Sequence, residues 1–225
     1  MTGVLILAAG NSSRMGKDKQ FLKIAGREVL LRSVEAYAGL PGIGTIVVVV
    51  RQGEEERGKA LLSAFPQVIV APVGGKTRQQ SVENGCRFLS GCDYIAIHDG
   101  ARPLVKKEDI LKTIEEAKKY GGAVLGVMAK DTIKLLSEDE IAGTLDRGRL
   151  FIAQTPQVFA FADYQKAMAA AKTQRLDFTD DAQLFELTGR KVRAVIGHYS
   201  NIKVTTPEDM ATAEAIYHWE ERKIK

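Results

Sequence analysis

A chain of 225 residues, 45% hydrophobic and 27% charged, is long enough to bury a full core without disulfide staples and has the composition of a globular protein. Its net charge of +4 is spread among mixed acids and bases, with no Lys/Arg run and no interleaving of basic and aromatic residues, which argues against nucleic-acid binding. Cys86 and Cys92 match no zinc spacing, residues 1–9 lack the charged start of a signal peptide, and no apolar run approaches a membrane span, so a cytoplasmic protein away from membranes is expected.

Residues 4–8 read as a buried strand, followed by a polar loop that ends at Lys19 and a helix over 28–37. A second strand is predicted over 45–51, a helix over 53–65, a third strand over 68–71 and a helix over 77–89. The next strand covers 94–97, a loop 98–103 and a helix 107–120, and one more apolar strand spans 123–129. Continuously apolar strands alternating with helices predict an α/β, Rossmann-like fold whose mostly parallel sheet carries helices on both faces.

The pattern breaks at 130–151, where polar and apolar residues alternate around an acidic turn at 137–140. That predicts a projecting β-hairpin arm, and an isolated two-stranded ribbon needs something to pack on, most simply a second subunit. The chain then returns to the sheet over 151–159, with helices over 163–172 and 180–187, the latter capped by Thr179. A strand over 191–196 and a closing helix over 207–222, with Pro207 at its first position and Thr206 as its cap, complete one domain over 1–225 with 130–151 as its arm.

Open α/β sheets bind ligands beyond the carboxyl ends of their strands, so the segments that follow the strands are the place to look for chemistry. After the first strand stands LAAGNSSRMGKDKQ, residues 7–20. Its glycines and small residues let backbone N–H groups approach a polyphosphate, and Arg14 and Lys19 supply cations. The loop fits neither the dinucleotide fingerprint nor the P-loop, and phosphate binding outweighs a plain solvated turn because a glycine loop opening the first parallel strand is seldom idle.

After the third strand, Gly74 and Gly75 permit close approach of a base or ribose, with Thr77 as a helix cap and Ser81 one turn on; a tight helix start explains the segment equally well. After the fourth, Asp99 is a carboxylate at a strand tip, where Mg²⁺ on a triphosphate could be held, and Arg102 could grip an anionic acceptor. His98 is read as a packed, hydrogen-bonded histidine without a chemical role. Lys203, just before the last helix, matters only if it converges with Arg14 and Lys19, and Asp180 and Asp181 could simply complement a helix dipole.

Taken in order, LAAG…RMG…KQ, GG…R…S at 74–81, IHDGARP at 97–103, KDTIK at 130–134, QTPQ at 154–157 and NIKVTTPED at 201–209 resemble the 2-C-methyl-D-erythritol 4-phosphate cytidylyltransferase family of the non-mevalonate isoprenoid pathway. Each motif alone is moderately specific, while the ordered set, from Leu5 to Ala213, is highly specific. The resemblance implies that CTP and methylerythritol phosphate combine to give the cytidine diphosphate adduct and pyrophosphate, with Mg²⁺, in a homodimer clasped by the arm.

By that resemblance Arg14, Lys19 and Lys203 would be catalytic, and Ala8, Ala9, Gly10, Gly75 and Ser81 would hold cytosine and ribose alongside them. Asp99 would support Mg²⁺ or the acceptor's hydroxyls, Arg102, Thr155 and Thr179 would contact the acceptor with Lys203, and Thr132 and Arg147 would reach its phosphate from the partner's arm. Ser12, Asp18 and Ser200 depart from the residues usual in relatives, and none of these departures removes a cation. Two rivals remain: a ribitol-5-phosphate cytidylyltransferase, sharing the CTP half, and a non-catalytic nucleotide-binding regulatory module.

Overall fold

The computed structural model describes residues 1–10, 18–176 and 178–224. In chain order its elements are β1 (Thr2–Leu7), the ribbon β2 (Lys23–Ile24) and β3 (Arg27–Glu28), α1 (Val29–Tyr37), β4 (Ile43–Val49), α2 (Glu55–Leu61), β5 (Val68–Ala71) and α3 (Arg78–Cys86). There follow β6 (Tyr94–Asp99), α4 (Lys107–Tyr120), β7 (Gly122–Met128), β8 (Lys134–Ser137), β9 (Glu140–Thr144), β10 (Phe151–Ala160), α5 (Phe161–Gln174), α6 (Asp181–Leu187), β11 (Arg193–Ile196) and α7 (Pro207–Ile224).

Seven strands form one sheet in the order β11-β7-β10-β6-β1-β4-β5. Only β10 runs antiparallel to its neighbours, so the sheet is mostly parallel, as the alternation of apolar runs and helices predicts. Along β1 the side chains of Val4 and Ile6 join a core with α1 and α4, while Leu5 joins a second core with α3, α5 and α6 on the opposite face. These residues are fully buried, and each such aliphatic side chain contributes about 1.5–3 kcal/mol of transfer free energy, which is why the sheet is covered on both sides. A third cluster, with Ile24, Val29, Leu104, Val204 and Ala213, seats α7 and the segment before it.

Several boundaries differ from expectation. His98 and Asp99 belong to the strand and not to the loop, because they stay in register with Ile6 and Leu7 of β1. Helix α2 is shorter than 53–65, since Gly53 sits at φ +89°, in the left-handed region that starts no helix. The cap of α6 is Asp180 and not Thr179: the Asp180 carboxylate accepts the Gln183 N–H at 2.9 Å, while Thr179 bonds the Gln183 side chain. The ribbon β2–β3, held by two residue pairs, is too short for an alternation signal.

The arm is present: β8 and β9 form a separate antiparallel ribbon turning at Glu138 and Asp139, and Leu135, Leu136 and Ile141 on it are exposed. Among the described residues no helix is long and apolar enough to cross a membrane.

Candidate nucleotide-transfer site

The chain departs in opposite directions from β1, toward β4 and β5 on one side and β6 on the other, and a cavity of about 370 Å³ opens at the carboxyl ends of these strands. This is the switch-point crevice of an open sheet. Ala9, Gly10, Lys19, Gly75, Ser81, Asp99 and Lys203, drawn from five separate stretches of sequence, share its wall. Ala8 lies just beneath, fully paired in the backbone: its N–H donates to the Val49 carbonyl and its carbonyl accepts from the Gln20 amide. Arg14 lies outside the described residues.

The glycine loop before α3 is built by local hydrogen bonding. Ser81 Oγ accepts the Gly75 N–H at 2.9 Å and donates to the Thr77 carbonyl at 3.0 Å, and Thr77 Oγ1 caps the helix by accepting the Gln80 N–H. Both glycines are required here. A Cβ on Gly74 would stand 2.4 Å from the Ala9 Cβ and push the two loops of the cavity apart, and one on Gly75 would stand 2.3 Å from the Gln80 Cβ and push the loop off α3. Ser81 is therefore committed to shaping the Gly75 backbone.

On the other wall Asp99 is surrounded by cations. Its Oδ2 lies 2.8 Å from Lys203 Nζ and 3.8 Å from Arg102 Nε, and its Oδ1 lies 3.8 Å from Arg78 Nε. Burial alone would raise the pKa of this carboxyl, but Lys203, Arg78 and Arg102 outweigh it and hold the value at about 2. Arg78, quoted in the motif but given no role by the sequence, is the bridge: its Nη2 pairs at 2.6 Å with the fully buried Asp181, which also accepts the Tyr164 hydroxyl at 2.6 Å. Burial works against the Arg78 charge, and the two carboxylates more than offset it. Asp181 is thus a counter-ion as well as a residue of a helix first turn.

Arg102 stands behind Asp99 without reaching the cavity wall, its Nη1 donating to the Asn201 carbonyl at 2.7 Å. Thr155 is buried, its hydroxyl accepting the Asp99 N–H at 3.1 Å and donating to His98 Nδ1 at 3.0 Å. His98 is the packed histidine expected, edge-on to Tyr37 and lowered by burial to about 4. Thr179 is exposed on the approach to α6, and Thr132 and Arg147 are exposed on the arm, Arg147 donating to the Lys130 carbonyl; none of the three reaches the cavity of its own chain.

Gln20 and Asp18 have structural roles that sequence reasoning does not assign. The buried Gln20 ties the start of the glycine loop by donating to the carbonyl of Ala8. Asp18 is gripped by Arg51 and Arg57 near the start of α2, so a charge cluster anchors the loop's far end. Two arginines more than thirty positions away leave no local signal.

As a donor set for a divalent ion the wall offers one carboxylate. Among the described residues no group of three His, Cys, Asp or Glu side chains lies close enough to hold a metal. Asp99 therefore fits as a single contact to an ion held otherwise by phosphate oxygens, and making that contact means exchanging Lys203 for the ion.

The chain that carries this crevice, with glycines on one side and a cluster of cations on the other, is similar to known proteins over nearly its whole length. The family model described as 2-C-methyl-D-erythritol 4-phosphate cytidylyltransferase matches residues 2–218. A relative of that description from Clostridium acetobutylicum is 40% identical over 222 residues, covering 96% of this chain and 97% of its own. Another, from Caldanaerobacter subterraneus subsp. tengcongensis, is 45% identical over 219 residues, covering 93% and 96%. The crystal structure of 4-diphosphocytidyl-2C-methyl-D-erythritol synthase from Anaerococcus prevotii superposes with a TM-score of 0.88 at 31% identity over 96% of each chain. The chain belongs to the 2-C-methyl-D-erythritol 4-phosphate cytidylyltransferase family of nucleotidyltransferases.

Proposed function

We propose that the protein transfers the cytidylyl group of CTP to the phosphate of 2-C-methyl-D-erythritol 4-phosphate, releasing pyrophosphate. The observation that carries this is the meeting, in one cavity, of a glycine-lined wall with Lys19 and a second wall where Lys203 is paired to Asp99. An acceptor phosphate is already an anion, so no general base is needed: its oxygen attacks the α-phosphorus in line, the bond from that phosphorus to the bridging oxygen breaks, and pyrophosphate departs with the electron pair. Catalysis then rests on alignment and on cations placed where charge accumulates.

In this reading Arg14, Lys19 and Lys203 neutralise the triphosphate and the transition state, while Ala8, Ala9, Gly10, Gly75 and Ser81 shape the nucleotide wall. Mg²⁺ would enter on CTP, supplying charge neutralisation, with Asp99 as its one carboxylate contact. Arg102, Thr179 and Lys203 serve the acceptor, with the buried Thr155 acting behind them through the Asp99 backbone; Arg102 keeps a buried Nε without a hydrogen-bond partner, a donor directed at the Asp99 side of the site. The chain is one domain, cytoplasmic, that pairs as a homodimer through the 130–151 arm. Thr132 and Arg147 then act on the partner's acceptor phosphate, in keeping with their exposure and distance from their own cavity.

The test is pyrophosphate release from CTP with each acceptor. Turnover is expected with methylerythritol phosphate and is abolished in Lys19→Ala with the fold intact. Turnover with ribitol 5-phosphate alone would transfer the assignment to that substrate, and unchanged release in Lys19→Ala would remove the loop from catalysis.

A further inference from the structure

We infer that His98 is a positioning residue for the acceptor half of the reaction, the closing member of a hydrogen-bonded ring that fixes Arg102 and Asp99 relative to Lys203. The inference rests on the reading of Arg102 and Lys203 as groups that serve the acceptor.

The direction of each bond in the ring follows from what its atoms can do. The Arg102 carbonyl, 3.2 Å from His98 Nε2, can only accept, so Nε2 carries the ring proton. Nδ1 is then the acceptor, and the Thr155 hydroxyl at 3.0 Å donates to it. That hydroxyl's oxygen in turn accepts the Asp99 N–H at 3.1 Å. The ring closes through Asn201, whose carbonyl accepts from Arg102 Nη1 at 2.7 Å and whose Nδ2 donates to the Thr155 carbonyl at 3.0 Å. A backbone bond of 2.8 Å from the Val204 N–H to the Ala101 carbonyl runs alongside. Three segments distant in sequence, around residues 98–102, 155 and 201–204, are thereby held in one arrangement.

His98 and Asn201 are fully buried and Thr155 nearly so, so none of these side chains meets a ligand directly. From the same segments Asp99, Ala101 and Lys203 do reach the cavity wall. An apolar side chain at 98 could pack against Tyr37 equally well, but could not hold the Arg102 carbonyl and the Thr155 hydroxyl together. The ring leaves the glycine loop untouched, so its loss should register on the acceptor and spare CTP.

The test is steady-state kinetics with CTP and methylerythritol phosphate varied in turn, with thermal melting alongside, for wild type, His98→Asn, His98→Gln, Thr155→Val and Thr155→Ser. The Asn amide spans only as far as Nδ1, whereas the Gln amide reaches the Nε2 position and can still donate to the Arg102 carbonyl. The expected result is a rise of about tenfold in KM for the acceptor in His98→Asn and Thr155→Val, the weight of one hydrogen bond, with KM for CTP within about twofold. His98→Gln and Thr155→Ser recover part of that loss. Folded variants in which both KM values move together, or neither moves, would overturn the inference; should the His98 variants not fold, the Thr155 pair decides it. A wild type inactive with this acceptor would instead overturn the functional reading, a separate outcome.

Discussion

Arg78 pairs with the fully buried carboxylate of Asp181 at 2.6 Å while its Nε stays 3.8 Å from Asp99, so one side chain joins the wall of the site to the interior behind it. Removing one partner of such a pair strands the other charge. Asp181→Ala is expected to cost about 3 kcal/mol of stability, at the low end for a buried pair because Arg78 keeps some solvent contact. Asp181→Asn, which retains a hydrogen-bond acceptor, should cost less. Urea denaturation measures both, and a loss under about 1 kcal/mol in Asp181→Ala would show that water replaces the carboxylate.

Lys203 and Asp99 offer a second test. Lys203→Ala is expected to lower kcat by about a hundredfold or more, the scale of one lost charge-stabilising donor, in a chain that still folds because Arg78 and Arg102 continue to face Asp99. Asp99→Asn discriminates between roles for the carboxylate. If its main task is to hold three cations apart, the Mg²⁺ concentration for half-maximal activity stays within about twofold while KM for the acceptor rises. A large shift in the Mg²⁺ requirement would make Asp99 chiefly a metal contact.

The buried imidazole of His98 sets an acid limit on stability. Burial brings its pKa down from the ordinary 6.5 to about 4. Above pH 6.5 the ring is neutral in both folded and unfolded chains, and stability is complete. Between about 6.5 and 4 the unfolded chain binds a proton that the folded one does not, so stability falls with falling pH, by on the order of 3 kcal/mol in all. Asp99, held at about 2 against an ordinary 3.8, adds its own loss only below pH 3.8. Denaturation midpoints of wild type across pH 7 to 4 should slope downward and those of His98→Gln should be flatter; parallel slopes would assign the acid sensitivity elsewhere.

The arm makes a fourth prediction. Leu136 and Ile141 are cross-strand partners on the ribbon and are 61% and 64% exposed, an arrangement that two strands cannot sustain alone. Wild type should sediment as a dimer, and the double substitution Leu136→Lys with Ile141→Lys should yield monomers with an intact sheet. A monomeric wild type would refute the proposed assembly.

The sheet, its parallel sense and the arm were legible because they rest on periodicity, which is local: continuous apolar runs at residues 46–50 and 95–97 and alternation at 130–151 each declare themselves within a few positions. The glycine-lined wall of the cavity was legible for a similar reason, since Gly10, Lys19 and Gly75 follow strands and Ser81 lies on the first turn of α3, beyond the carboxyl ends of the sheet where ligands gather. The partners of those residues were not. Asp181 as the counter-ion of Arg78, Asp18 as the partner of Arg51, and Asn201 as a tie between Arg102 and Thr155 each join residues far apart in the chain. Asp180, and not Thr179, caps α6; with the two adjacent, composition alone favours neither. The resemblance implies that Thr155 contacts the acceptor, whereas the fold buries it and turns its hydroxyl to His98 and the Asp99 backbone.

Strand β10 leaves the arm at Phe151 and carries Thr155 four residues on, about 13 Å along extended chain. It lies between β7 and β6, opposed in direction to both. A displacement at the arm's root therefore loads the same strand whose hydroxyl holds the Asp99 backbone. If subunits pair through the arm as proposed, assembly and chemistry share one mechanical element, and a substitution at the arm's root would be felt at the Asp99 backbone without touching the cavity.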